Sequence, residues 1–155
     1  MKDFPTMLGH LRRRLFGASP MASEVNLRGK KIIVTGASPG SIGFETALTL
    51  ANWGACVIIT TRSNSNATAD HLRHYLHQQG KSADIDAHSL DLAAADSILQ
   101  FVRWYQKKHG SQLDVLVNNA GIHLDLAGSW KQPQLTADGF EIHWRNYLGT
   151  LHLTK

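Results

Sequence analysis

The densest chemistry in the chain lies in the run TGASPGSIGFETA, Thr35 to Ala47. Three glycines, Gly36, Gly40 and Gly43, follow a short apolar, β-branched segment and open an amphipathic one. Glycine lets the backbone turn sharply and come close to a ligand. The free N–H groups and positive dipole at a helix start then attract an anion such as a pyrophosphate. Ser38 and Ser41 add hydroxyl donors, and Ile42 stands between Ser41 and Gly43. The spacing is G-x-x-x-G-x-x-G rather than the G-x-G-x-x-G of the standard dinucleotide turn. Taken alone, the run serves equally well as a helix-initiating loop with no ligand.

The end of the next apolar segment separates these readings. A dinucleotide turn is usually answered about 20 residues later by an acidic residue that holds the ribose hydroxyls. Here that stretch reads Thr60-Thr61-Arg62-Ser63, with no Asp or Glu, and Arg62 lies 19 residues past Gly43. An arginine can pair with a 2′-phosphate through charge-assisted hydrogen bonds that an unphosphorylated ribose cannot use. The expected cofactor is therefore NADP in preference to NAD. The competing reading is a solvated surface arginine.

These residues need elements to hold them. Lys31–Thr35 and Cys56–Thr60 read as buried strands, Asp84–Ser89 as a weaker one and Leu113–Val117 as a fourth. Ile42–Trp53, Ala67–Gln79 and Ala93–His109 read as helices closed by Gly54, Gly80 and Gly110, and a last helix runs from about Thr136 to the end. Short strands alternating with amphipathic helices indicate an α/β fold of the Rossmann type, a doubly wound parallel sheet with about four strands. The near-continuous hydrophobicity of the first, second and fourth strands fits burial on both faces.

Composition narrows the function. A chain of 155 residues with 43% hydrophobic and 18% charged residues builds a globular core, which excludes collagen-like and largely disordered classes. The single Cys56 excludes an internal disulfide and a multi-cysteine zinc site, and a reduced, intracellular compartment, cytoplasmic first, is expected. Of the 16 basic residues, seven fall within 1–31, where only Asp3 and Glu24 are acidic; the rest of the chain carries nine basic and ten acidic residues. A folded basic face for nucleic acid is therefore not expected. Residues 1–23 read as a basic amphipathic leader or extension, and 24–155 as the NADP-binding domain. Within 3–16 a helix can lie on a membrane surface, direct the chain to an organelle or pack on its own domain; Met21 is an alternative start.

Four pieces in order carry a resemblance: TGASPGSIG after the first strand, Leu90-Asp91-Leu92 after the third, Asn118-Asn119-Ala120-Gly121 after the fourth, and Asn146 in the last helix. From about Leu27 onward the chain resembles the classical branch of the short-chain dehydrogenase/reductase family. GFETA (43–47) and LTADGFE (135–141) are most like its retinol-dehydrogenase-like members. The resemblance implies hydride transfer between NADP(H) and a carbonyl or alcohol, with a lipophilic small molecule as substrate and oligomers possible in a full-length form. At the carboxyl end of the third strand an adenine amino group can donate to Asp91; the resemblance places Leu92, Asn118, Ala120 and Gly121 along the cofactor, and Asn119 in a structural role. Asn146 is similar to the family's active-site asparagine, whose backbone helps to hold a proton-relay water. Asp91 reads equally as the N-cap of the following helix.

Two departures from the family pattern stand out. The family's turn is T-G-x-x-x-G-x-G, and here one extra residue separates the last two glycines, which sets Ser41 in the usual second-glycine place. The family's acid/base tyrosine is followed four positions later by a lysine, whereas Tyr75, Tyr105 and Tyr147 are followed at that distance by Gln79, His109 and Leu151. The expectation is a C-terminally truncated fragment without the catalytic Ser and Tyr-x-x-x-Lys. The alternative is a non-catalytic nucleotide-binding or interaction module. His71, His74 and His77 invite a metal, but His77 lies about 120° from His71 around a helix and no carboxylate or thiol completes a set, so no metal site is assigned. His123 could face a substrate pocket, and Cys56 heads a buried strand and is expected to be inert.

Overall fold

The computed structural model describes residues 22–122, 134–136 and 139–154. Its strands are β1 (Lys31–Thr35), β2 (Cys56–Thr61), β3 (Ile85–Ser89) and β4 (Val115–Val117); its helices are α1 (Ile42–Asn52), α2 (Ser65–Gln78), α3 (Ala95–His109) and α4 (Ile142–Thr154). The strands form one parallel sheet in the order β3-β2-β1-β4, the doubly wound arrangement expected.

Side chains alternate across a strand, so neighbouring residues of β1 and β2 serve opposite layers. Ile32, Val34, Val57 and Ile59 pack with Phe44, Ala47 and Ala51 of α1 and Leu72 and Leu76 of α2. Ile33 and Ile58 face the other way, onto Ile98, Phe101 and Tyr105 of α3, with Leu153 of α4 at the margin. Burying Phe101 and Ile58 contributes about 1.5–3 kcal/mol each. The chain crosses from β3 past β2 and β1 to β4. The strand order thus reverses between β1 and β4, and a crevice opens there at the carboxyl ends of the strands.

Three expectations need correction. The last helix starts at Ile142, not near Thr136. Leu135 and Glu141 instead form an isolated antiparallel bridge, closed by the Thr136 N–H donating to the Phe140 carbonyl (2.8 Å) around Gly139 at φ +83°. The Glu141 carboxylate then takes the cap, accepting from the N–H groups of His143 (3.0 Å) and Trp144 (3.1 Å). The fourth strand begins at Val115, because Asp114 is occupied with the Lys31 N–H (2.9 Å) and the Lys30 ammonium (2.9 Å). It also lies at the sheet edge rather than buried on both faces, with Val115 43% exposed.

The leader assigned to 1–23, including the amphipathic segment 3–16, falls outside the described residues except for Ala22 and Ser23, and His123 falls outside them too. No helix among the described residues is long and apolar enough to cross a membrane. His71 packs against the Phe44 ring at 5.4 Å, and no cluster of three or more His, Cys, Asp or Glu side chains suited to a metal ion occurs among the described residues.

Candidate functional site

Thr35 ends β1 and ties the two sides of the crevice together. Its hydroxyl donates to the Val117 carbonyl (3.2 Å) and accepts from the N–H groups of Asn119 (3.0 Å) and Ala120 (3.0 Å). Asn119 returns the tie, its amide donating to the carbonyls of Thr35 (2.8 Å) and Gly36 (3.2 Å). This stitching brings backbone against backbone and explains two glycines. Gly36 has φ +69°, and a Cβ there would stand 2.7 Å from the Ala120 Cα. A Cβ on Gly43 would meet the Gly36 carbonyl oxygen at 2.7 Å and the Asn119 amide closer still.

The extra residue of the turn has a definite place. Ser41 is the N-cap of α1: its hydroxyl accepts from the Phe44 N–H (3.2 Å) and donates to the Gly36 carbonyl (3.2 Å). That hydroxyl is therefore engaged within the turn. The N–H groups of Ile42 and Gly43 have no acceptor inside the helix and none among the described residues. They are the donors that the helix start offers to an anion.

A cleft of about 400 Å³ opens above this turn. Of the residues singled out from the sequence, Gly36, Ser38, Ser41, Ile42, Arg62, Asp91, Leu92, Ala120, Gly121 and Asn146 line it. Gly40, Gly43 and Asn118 do not; Gly43 instead packs behind the turn. Asn119 has the structural role expected of it and also forms part of the wall. Sequence reasoning passed over Thr60, Thr61, Leu90, Ala93, Ile122 and Arg145 as site residues, and these complete the lining. The threonines were visible as the end of β2, whereas a lone charged residue in a helix ordinarily signals a solvated face.

Arg62 sits exposed at the end of β2, on the cleft wall. Asp91 accepts from the Ala93 N–H (2.9 Å) through one carboxylate oxygen. It is not the helix cap, a place taken by Ala94 with no side-chain bond, so its second oxygen stays available to the cleft. Asn146 is held at both ends of its amide by one residue, accepting from the Ile122 N–H (2.8 Å) and donating to the Ile122 carbonyl (2.8 Å). The charged residues of the lining are Arg62, Asp91 and Arg145, and of the two arginines Arg62 is exposed whereas Arg145 is buried. At the start of α4 the His143 side chain (2.8 Å) holds the Glu141 carboxyl below the usual range, so the cap is ionised at neutral pH.

The profile of the short chain dehydrogenase family matches residues 30–155. Among curated relatives, the chain is 36% identical over 148 residues to the WW domain-containing oxidoreductase of Gallus gallus, covering 92% of this chain and 33% of that protein. It is 34% identical over 155 residues to retinol dehydrogenase 12 of Homo sapiens, covering 98% of this chain and 45% of the relative. It is 36% identical over 147 residues to the chloroplastic protochlorophyllide reductase of Pisum sativum, covering 88% of this chain and 33% of that one. The chain thus spans a third to somewhat under half the length of these relatives. A metagenomic short-chain oxidoreductase solved in complex with NADP superposes with TM-score 0.54 at 35% identity, over 63% of this chain and 42% of that one. A short chain dehydrogenase from Mycobacterium smegmatis shares the fold, with TM-score 0.63 at 24% identity over 87% of this chain and 55% of that one.

Proposed function

The chain belongs to the short-chain dehydrogenase family, and from that premise we propose that the cleft holds NADP(H) as the cofactor half of an oxidoreductase acting on a carbonyl or alcohol. The carrying observation is the joint placement of the Gly36–Gly43 turn and Arg62 on one cleft. The free amides of Ile42 and Gly43 bind the pyrophosphate, and Arg62 pairs with the 2′-phosphate. Asp91 accepts from the adenine amino group through its second oxygen. Ala120 and Gly121 keep the wall small where the dinucleotide runs, and Asn118, outside the lining, is assigned to the cofactor from the family resemblance alone. Asn146 has its side chain locked onto Ile122, which holds α4 at the far end of the cleft. A bound nicotinamide supplies the hydride chemistry, with a lipophilic carbonyl or alcohol as its substrate, in keeping with the retinol dehydrogenase among the relatives.

The experiment is a titration of the chain with NADPH and NADH, repeated with Arg62→Ala. Hydrogen bonds to a charged group contribute about 1.5–3 kcal/mol, so the variant should lose about 10- to 150-fold for NADPH and little for NADH. Equal losses for both contradict the assignment of Arg62.

A further inference from the structure

Arg145 is the buried charge that the nucleotide reading leaves unused. It is 8% exposed, lines the cleft and precedes Asn146 on α4. Its position follows from the helix. Arg145, Gly149 and Leu153 are spaced four residues apart and so fall on one face of α4. Leu153 packs at the margin of the core that holds Leu90, and a Cβ on Gly149 would stand 2.7 Å from the Leu92 Cβ. This face therefore lies against the Leu90–Leu92 segment, and Arg145, one turn nearer the helix start, stands beside it at the cleft. Asp91 belongs to the same segment, yet the two charges form no ion pair with each other. The Arg145 guanidinium carbon lies 5.1 Å from the centre of the Phe140 ring, which supports one side of the planar group.

A flat cation backed by an aromatic ring, beside a carboxylate that can accept from an amino group, is suited to the face and edge of a purine. We infer that Arg145 is a base-stacking anchor for the adenine half of the dinucleotide: its guanidinium packs on the ring face while Asp91 accepts at the ring edge. The inference rests on the nucleotide reading of the cleft and deepens it. Arg145 and Arg62 then have separable duties. Arg62 distinguishes the 2′-phosphate, whereas Arg145 strengthens every adenine nucleotide alike. Phe140 is a positioning residue that acts through Arg145.

The test is calorimetric titration of the 155-residue chain with NADPH, NADH and ADP, each against wild type, Arg145→Ala, Arg145→Lys and Phe140→Leu. Loss of a guanidinium–ring stack should weaken all three ligands by about tenfold in Arg145→Ala. Arg145→Lys keeps the charge but not the plane, and should bind within about threefold of the alanine variant. Phe140→Leu should give a smaller loss, again equal for the three ligands. A loss confined to NADPH makes Arg145 a phosphate partner and overturns the inference. Unchanged affinities, or lysine restoring wild-type binding, overturn it too. Should Arg145→Ala fail to fold by circular dichroism, the lysine and Phe140 variants carry the same comparison. A wild type that binds none of the three refutes the nucleotide reading itself, which is distinct from a wild type that binds while the variants match it.

Discussion

Replacing Gly43 by alanine sets local preference against tertiary packing. Gly43 lies in the first turn of α1 and its φ is not positive, so a side chain there is not strained by the backbone. Alanine is favoured over glycine inside helices by up to about 1 kcal/mol, and helix propensity alone therefore forecasts a more stable protein. The packing forecasts the reverse. The new Cβ would fall 2.7 Å from the Gly36 carbonyl oxygen and nearer still to the Asn119 amide nitrogen. Relief requires that amide to leave, giving up its bonds to the Thr35 (2.8 Å) and Gly36 (3.2 Å) carbonyls. Two such bonds contribute about 1 kcal/mol each, and overpacking a close contact costs about 1–3 kcal/mol. Subtracting the gain in propensity leaves a net loss of about 2–4 kcal/mol. For a chain of this length that is a fall in Tm of about 5–15 °C. Urea unfolding followed by circular dichroism measures it, and the same variant should lose NADPH affinity because the turn has moved. A double-mutant cycle with Asn119→Ala sharpens the test, since removing the amide should make Gly43→Ala less costly in that background. A neutral or stabilised Gly43→Ala, or strict additivity in the cycle, would refute the close approach of turn and strand end.

Further outcomes follow from other contacts. Gly149→Ala should cost about 1–3 kcal/mol and weaken NADPH binding, because its Cβ would press on Leu92 and lift α4 off the cleft; unfolding and titration of one preparation check both. Burial pushes the Asp86 carboxyl up, but Lys108 (2.5 Å), the Ala87 N–H (2.9 Å) and His109 (3.0 Å) outweigh it and hold the group below its ordinary 3.8. A depressed carboxyl contributes stability above the unfolded value and loses it as pH falls through the folded one, so Asp86→Asn should flatten the decline in stability below about pH 4. Burial, aided by Asp84, pushes the Cys56 thiol up from 9.0 to about 11. Its thiolate fraction at pH 8 is then about a hundredfold smaller than in the unfolded chain, and iodoacetamide should modify it quickly only after denaturation.

Much of the frame was legible along the chain because it rests on local signals. β-Branched runs such as Ile32–Val34 and Val57–Ile59, each followed by an amphipathic helix with glycine past its end, specify strand, helix and stop at short range. The meeting of Gly36, Arg62 and Asp91 on one cleft follows the same pattern, since parallel βαβ units bring every strand's carboxyl end to one side, whereas Asn146, on α4, was pointed to by the family resemblance alone. The short bridge before α4 reads as helix in the sequence although its Asp138-Gly139 pair is a turn signal; the backbone bonds of Thr136 with Phe140, Gly139 with Thr136 and Ile142 with Gln134 close it.

The strands, helices and turns of a parallel α/β fold are already present in the alternation of apolar runs and turns, because period and spacing act within a few residues; the order β3-β2-β1-β4, and with it the crevice between β1 and β4, is decided by long-range pairing. Which glycine touches what, and which amide faces the wall, depends on Thr35 and Asn119, side chains 84 residues apart that join β1 to the end of β4. The burial of Arg145 likewise depends on Gly149 seating α4 against Leu92. Contacts between such distant positions leave no periodic trace in the sequence; they exist only once the sheet has brought the partners within a few ångströms.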